Sequence, residues 1–94
     1  MEVKLAFAIA LKMVRKVRGL TQEDFSETSS RTYVSTLERG KKSVTLEKLD
    51  QLAKTLKIHP LTLLALTYAN VDSTTDIKEL IKMIEIEVAN INGA

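Results

Sequence analysis

The sequence predicts an all-α chain of six helices. Apolar residues recur at three- and four-residue steps along most of its length, helix-start and helix-stop residues punctuate those runs, and no stretch reads as a strand. Ninety-four residues suffice for one domain around one core. The expected layout is a single domain over residues 1–94, with five helices within 3–69 and a C-terminal helix over 74–90.

The first helix is expected from about Val3 to Arg18. Leu5, Phe7, Ala8, Ala10, Leu11, Val14 and Val17 make its apolar face, no Gly or Pro interrupts it, and Arg18-Gly19 supplies a basic last turn and a glycine stop. Thr21 caps a brief second helix ending near Glu27. Asp24 stands three residues on as a short capping-box partner, and Leu20 and Phe25 form a hydrophobic staple. Thr28-Ser29-Ser30 is the turn, and Ser29 or Ser30 caps a third helix that runs to about Arg39 and stops at Gly40.

After the basic loop Lys41-Lys42-Ser43, Thr45 caps the fourth helix, with Val44 and Leu49 as a second staple and Leu46, Leu49, Leu52, Ala53 and Leu56 as the apolar face. Pro60 suits the first position of a fifth helix, Pro60 to about Ala69. Leu61, Leu63, Leu64, Leu66 and Tyr68 make it apolar nearly all round, so burial on more than one side is expected. The sixth helix follows a polar stretch, from about Thr74 to Asn90, with Ser73 and Asp76 spaced as a cap and its third helical residue. Ile77, Ile84 and Ile91 repeat every seven residues, with Leu80, Ile81 and Val88 between them.

Composition excludes several functions. There is no cysteine and one histidine, so neither a disulfide framework nor a zinc site is expected, and no aspartate-rich loop suggests calcium. No cofactor and no small-molecule substrate are expected. The lone His59 reads as a helix cap or surface residue, and no nucleophile–base set accompanies it, so an enzyme is not expected. The longest apolar run, Leu5 to Leu11, is too short to span a bilayer, and a cytoplasmic protein without a membrane partner is expected. Residues 1–42 hold nine basic and five acidic residues, against five and seven in 43–94. The basic excess lies in the half that carries the third helix.

That helix sets buried Val34 and Leu37 against a polar face of Arg31, Thr32, Ser35, Thr36 and Arg39. No other segment gathers as many short donors and acceptors on one side. Arg15, Leu20-Thr21-Gln22-Glu23, Val34-Ser35-Thr36-Leu37-Glu38-Arg39-Gly40 and Thr45-Leu46-Glu47 with Leu49 and Leu52-Ala53 together resemble the phage-repressor-type helix-turn-helix family. This is the Cro/repressor or Xre-like group, which includes restriction–modification controllers and antitoxin-type regulators. The resemblance covers about Leu11 to Leu64 and implies a repressor-like five-helix domain, here followed by a sixth helix. Leu20 to Gly40 is about two residues shorter than the family's span, with Thr28-Ser29-Ser30 in place of the longer connection.

The resemblance implies double-stranded DNA as partner, with the third helix in the major groove. Base contacts then fall to Arg31, Thr32, Ser35 and Thr36. Arg31 is the leading one, because a guanidinium can bond two acceptors of a guanine. Phosphate contacts fall to Gln22, Ser30, Tyr33, Arg39, Lys41, Lys42 and Ser43. Two of these carry a second reading: Tyr33 as cover for the core edge, and Arg39 as a cation at the helix C-terminus. Arg15 and Glu38 are implied as a structural ion pair that orients the reading helix. The stripe Ile77, Leu80, Ile81, Ile84, Val88 and Ile91 either folds back on the fifth helix or meets a second copy, and the homodimer is favoured because one such unit contacts few base pairs. The leading expectation is a dimeric, sequence-specific transcriptional regulator on a palindromic operator. A protein-interaction module of the antitoxin type, whose last helix awaits a partner, is the alternative.

Overall fold

The computed structural model describes residues 1–93, and these hold five α-helices and one short 3-10 turn. α1, Val3–Val17, buries Ala6, Phe7, Ala8, Ala10, Leu11 and Val14, the inward side of its apolar spacing. It ends at Gly19, which takes φ 71°. The N–H of Gly19 donates to the Lys16 carbonyl and that of Leu20 to the Arg15 carbonyl, both at 3.0 Å, so two of the helix's last carbonyls are satisfied.

The expected second helix is reduced to the 3-10 turn Gln22–Phe25. The C-terminal helix is therefore the fifth α-helix, not a sixth. The reason is the shortened connection: only residues 26–30 separate the turn from α2, Arg31–Glu38. Ser26 closes the turn by donating to the Glu23 carbonyl at 2.9 Å, the tighter bonding of a 3-10 helix. The Asp24 carboxylate accepts the Thr21 N–H at 2.6 Å, and Phe25 is fully buried.

α3, Leu46–Leu56, starts at Thr45, whose hydroxyl accepts the Lys48 N–H, and buries Leu49, Leu52, Ala53 and Leu56. α4, Pro60–Val71, is capped by His59, whose Nδ1 accepts the Leu61 N–H at 3.0 Å. Burial of α4 on more than one side is not found. Only Leu63 and Thr67 are buried, while Leu61 and Tyr68 remain 65% and 48% exposed. One side of α4 packs on α1 and α3, and α5, Ile77–Asn92, reaches it only in part.

α5 is not capped by Ser73 and starts three residues later than Thr74. Asp76 caps it, its carboxylate accepting the Lys78 N–H. The preceding residues turn around Asp72, whose carboxylate accepts the Thr74 hydroxyl at 2.6 Å, the Thr75 hydroxyl at 2.9 Å and the Thr74 N–H at 3.0 Å. The Thr74 and then the Thr75 hydroxyl hold Asp72 below the usual carboxylate range. Their support is present above the ordinary value and is lost as pH falls through the lowered one.

The core comprises Phe7, Ala10, Leu11 and Val14 of α1, Phe25 of the 3-10 turn, Val34 and Leu37 of α2, Leu49, Leu52 and Leu56 of α3, and Leu63 of α4. α5 contributes no buried residue. Phe25→Ala should cost about 3–5 kcal/mol and Leu37→Ala about 2–5 kcal/mol, from lost transfer energy plus the cavity left behind. Leu46→Ala, at a residue 77% exposed, should change stability by less than about 0.5 kcal/mol. Urea unfolding followed by circular dichroism measures all three.

Candidate nucleic-acid interface

α2 is short, and its neighbours fix it on three sides. Val34 and Leu37, both fully buried, hold its inner face. At its start the Ser30 hydroxyl accepts the Tyr33 N–H at 3.0 Å, so Ser30 rather than Ser29 is the cap. Ser29 turns inward instead: it is 6% exposed, its N–H donates to the Phe25 carbonyl at 2.8 Å, and its hydroxyl lacks a hydrogen-bond partner. Lys48 of α3 donates to the Thr28 carbonyl at 2.7 Å and so ties the turn to the body of the fold.

At the other end Gly40 takes φ 69°, and Lys41 and Gly40 donate to the Thr36 and Leu37 carbonyls. A Cβ at Gly40 would stand 3.3 Å from Leu5 Cδ1 and 3.6 Å from Leu5 Cα. The helix thus ends against α1, where positive φ and close contact both favour glycine.

A further constraint is ionic. Arg15 of α1 donates to both oxygens of Glu38, Nε to Oε2 at 2.6 Å and Nη2 to Oε1 at 2.8 Å, and its Nη1 reaches the Leu20 carbonyl at 2.9 Å. The Gln22 amide also donates to Glu38, at 3.2 Å. The two charged side chains are only 11% and 3% exposed. The hydrogen bond to Glu38 raises the Arg15 pKa, against the opposing effect of burial. A bidentate pair with extra hydrogen bonds is the form in which a buried ion pair is tolerated.

The opposite face of α2 looks outward. Arg31 and Thr32 are exposed, and Ser35 and Thr36 half-buried. Arg31 Nη1 donates to Glu23 of the 3-10 turn at 3.2 Å, with both side chains about two-thirds exposed. The Thr36 hydroxyl donates to the Thr32 carbonyl at 2.8 Å. Arg39 folds back on its own helix, Nε to the Ser35 carbonyl at 3.3 Å and Nη2 to Thr36 Oγ1 at 3.5 Å, which is a cation placed at a helix C-terminus.

Lys41, Lys42 and Ser43 follow on the exposed loop. Tyr33 is half-buried against the core, and the Lys42 and Lys48 ammonium groups lie 5.2 and 5.4 Å from its ring centroid. Burial pushes the Tyr33 phenol up. Arg15, Thr21, Gln22, Glu23 and Arg31 line an open cleft of about 400 Å³ beside the start of α2.

Two residues here escaped the reading of the sequence. Glu23 holds Arg31, and Lys48 holds the turn. A carboxylate eight positions before an arginine carries no helical spacing rule, and Lys48 reads as one more solvated charge. Among the described residues no group of three His, Cys, Asp or Glu could hold a metal ion, and no helix is long and apolar enough to cross a membrane.

On α5, Ile77 and Leu80 are half-buried, while Ile81, Ile84, Val88 and Ile91 are 46–74% exposed. Met83 and Ile86, absent from the expected stripe, are exposed as well. A groove of about 540 Å³ runs between α4 and α5, walled by Leu61, Leu64, Tyr68, Leu80, Ile81 and Ile84 among others.

A helix-turn-helix family model matches residues 11–63. No curated protein matches the sequence. Among solved structures, the restriction–modification controller protein C.Esp1396I, a tetramer in complex with its natural 35 base-pair operator, superposes with a TM-score of 0.67 at 23% identity, over 76% of this chain and 96% of that one. The clp gene regulator ClgR from Corynebacterium glutamicum superposes with a TM-score of 0.69 at 22% identity, over 97% of this chain and 90% of that one. At these identities the likeness is one of fold.

Arg15→Ala should cost about 3–5 kcal/mol, because it strands a nearly inaccessible carboxylate. Replacing the pair together, Arg15→Met with Glu38→Leu, should recover most of that loss. Thermal melting of the two variants beside the parent gives the comparison.

Proposed function

We propose, from the premise that the chain belongs to the Xre-like helix-turn-helix family of DNA-binding transcriptional regulators, that it reads a palindromic operator as a dimer, with α2 in the major groove. The observation that carries this is the division of α2. Its inner face is locked by Val34, Leu37 and the Glu38–Arg15 pair, while Arg31, Thr32, Ser35 and Thr36 stand together on the other. A helix so fixed presents donors and acceptors at set positions, as direct readout of base edges requires.

Arg31 is the base reader of first rank. Lys41, Lys42 and Ser43 lie beside the end of α2, where they can meet phosphates, joined by Ser30 and by Arg39 once it leaves its own helix. Such contacts set affinity and orientation without reading sequence. Gln22 braces the site through Glu38, and its amide can turn one donor to a phosphate. Tyr33 serves mainly as a half-buried support for Lys42. Two copies joined through α4 and α5 place two α2 helices on two half-sites, and the apolar groove and the unburied stripe of α5 support that reading.

The exposure of α5 equally fits an antitoxin-type module that binds another protein through this helix. The single-domain layout over 1–94, with α5 as its dimerising arm, and a cytoplasmic location belong to the regulator reading.

Selection of bound sequences from a random duplex pool tests the whole. A symmetric site is expected; no salt-dependent affinity for any duplex would end the proposal. On the selected site, Arg31→Ala should lose about 1–3 kcal/mol of discrimination at one base pair. Lys41→Ala and Lys42→Ala should weaken all sequences alike and each lower the salt slope by about 1.

Glu23→Gln should act in the opposite direction. Arg31 must leave Glu23 to reach a base, and an exposed pair is worth at most about 1 kcal/mol, or roughly fivefold in affinity. Affinity for the operator should rise within that limit, and that for random duplex by less, as measured by fluorescence anisotropy.

A further inference from the structure

We infer that two copies of this chain join with α5 antiparallel to α5, Ile81 of each against Ile84 of the other, and Lys78 of each paired with Glu85 of the other. This rests on the two-copy reading above and specifies its partner surface.

α5 is a 16-residue helix without a buried residue. Ile77, Ile81, Ile84, Val88 and Ile91 follow at steps of four, three, four and three, the seam of a two-helix packing. A seam of this kind has a few possible alignments, and the flanking charges separate them. Beside the seam stand Lys78, Glu85 and Asn92 on one edge and Leu80 and Glu87 on the other.

A parallel pair sets Leu80 against Glu85 and Glu87 against Asn92, with no opposite charges meeting. An antiparallel pair centred on Ile84 and Val88 stacks four apolar layers but brings Glu85 against its own copy, a like-charge contact. The antiparallel pair centred between Ile81 and Ile84 also stacks four layers: Ile77 on Val88, Ile81 on Ile84, and their two-fold mates. It sets Glu85 beside Lys78 twice, once on each side of the axis. Only this alignment is complementary in charge as well as in shape. Met83 and Ile86 fall outside the seam.

The test is the dimerisation constant of the full chain by analytical ultracentrifugation. Lys78→Glu alone and Glu85→Lys alone should each weaken the homodimer about tenfold, since each sets two like-charge contacts in place of two ion pairs. The doubly exchanged chain, Lys78→Glu with Glu85→Lys, should return to the parent's constant. Mixing the two single variants should give a heterodimer tighter than either homodimer. Met83→Glu, off the seam, should leave the constant unchanged, while Ile84→Glu should abolish association, with circular dichroism showing that each variant folds. A parent dimer indifferent to the charge exchanges overturns this alignment and leaves the two-copy regulator standing. A parent that stays monomeric at high concentration overturns both, and DNA binding by that monomer would still be read separately from the duplex selection.

Discussion

The Arg15–Glu38 contact is the constraint on which the placement of α2 depends. Glu38 ends α2, and Arg15 lies in the last turn of α1, the longest helix in the core bundle. Through this pair the end of α2 is fixed to a rigid body by two parallel hydrogen bonds, and through Leu20 and Gln22 the same two side chains reach the 3-10 turn before it. Every polar atom of the cluster that burial deprives of water gains a partner inside it. A salt bridge this deep contributes little net stability against an apolar pair of equal size. Its value is geometric, because a guanidinium and a carboxylate meet face to face in few orientations, whereas leucine against leucine tolerates many.

That rigidity sets off the rest of the molecule. The helices from α1 to α4 form a packed head in which each buries a face, and α5 rests mainly on α4 with most of its apolar residues in the open. The charge distribution follows the same division. The basic excess belongs to the part that carries α2 and its following loop, and the acidic residues collect towards the part that carries α5. In the proposed regulator, this division would draw a polyanion to one end and leave the other to a protein partner.

Much of this was legible in the residues. Spacing of apolar side chains placed α1, α3 and α4 within a few residues of their ends. Gly19, Gly40, Thr45 and Pro60 marked boundaries, because each serves a backbone need that few other residues meet. What was not legible lay in tertiary geometry. Thr21 to Glu27 has the caps and staple of an α-helix, yet the chain has too few residues before Ser30 to complete one, and a 3-10 turn results. The apolar girth of α4 promised burial on several sides, but α1 and α3 bury one side and α5 covers another only in part. Among the site residues, the outward set of α2 could be read from its period. The bond between Arg31 and Glu23 could not, since it crosses between elements.

The Lys48 bond to Thr28 has one more consequence. With a short connection pinned from α3 and both ends of α2 capped, that helix has no slack. Under the proposed function, changes of target cannot come from lengthening or reshaping the turn, which would cost the ammonium its carbonyl and Phe25 its seat. They must come from exchanging side chains at the few outward positions while the frame stays fixed. New sequence preferences are thus reached by point substitution on a constant scaffold, and α2 can vary on one face only.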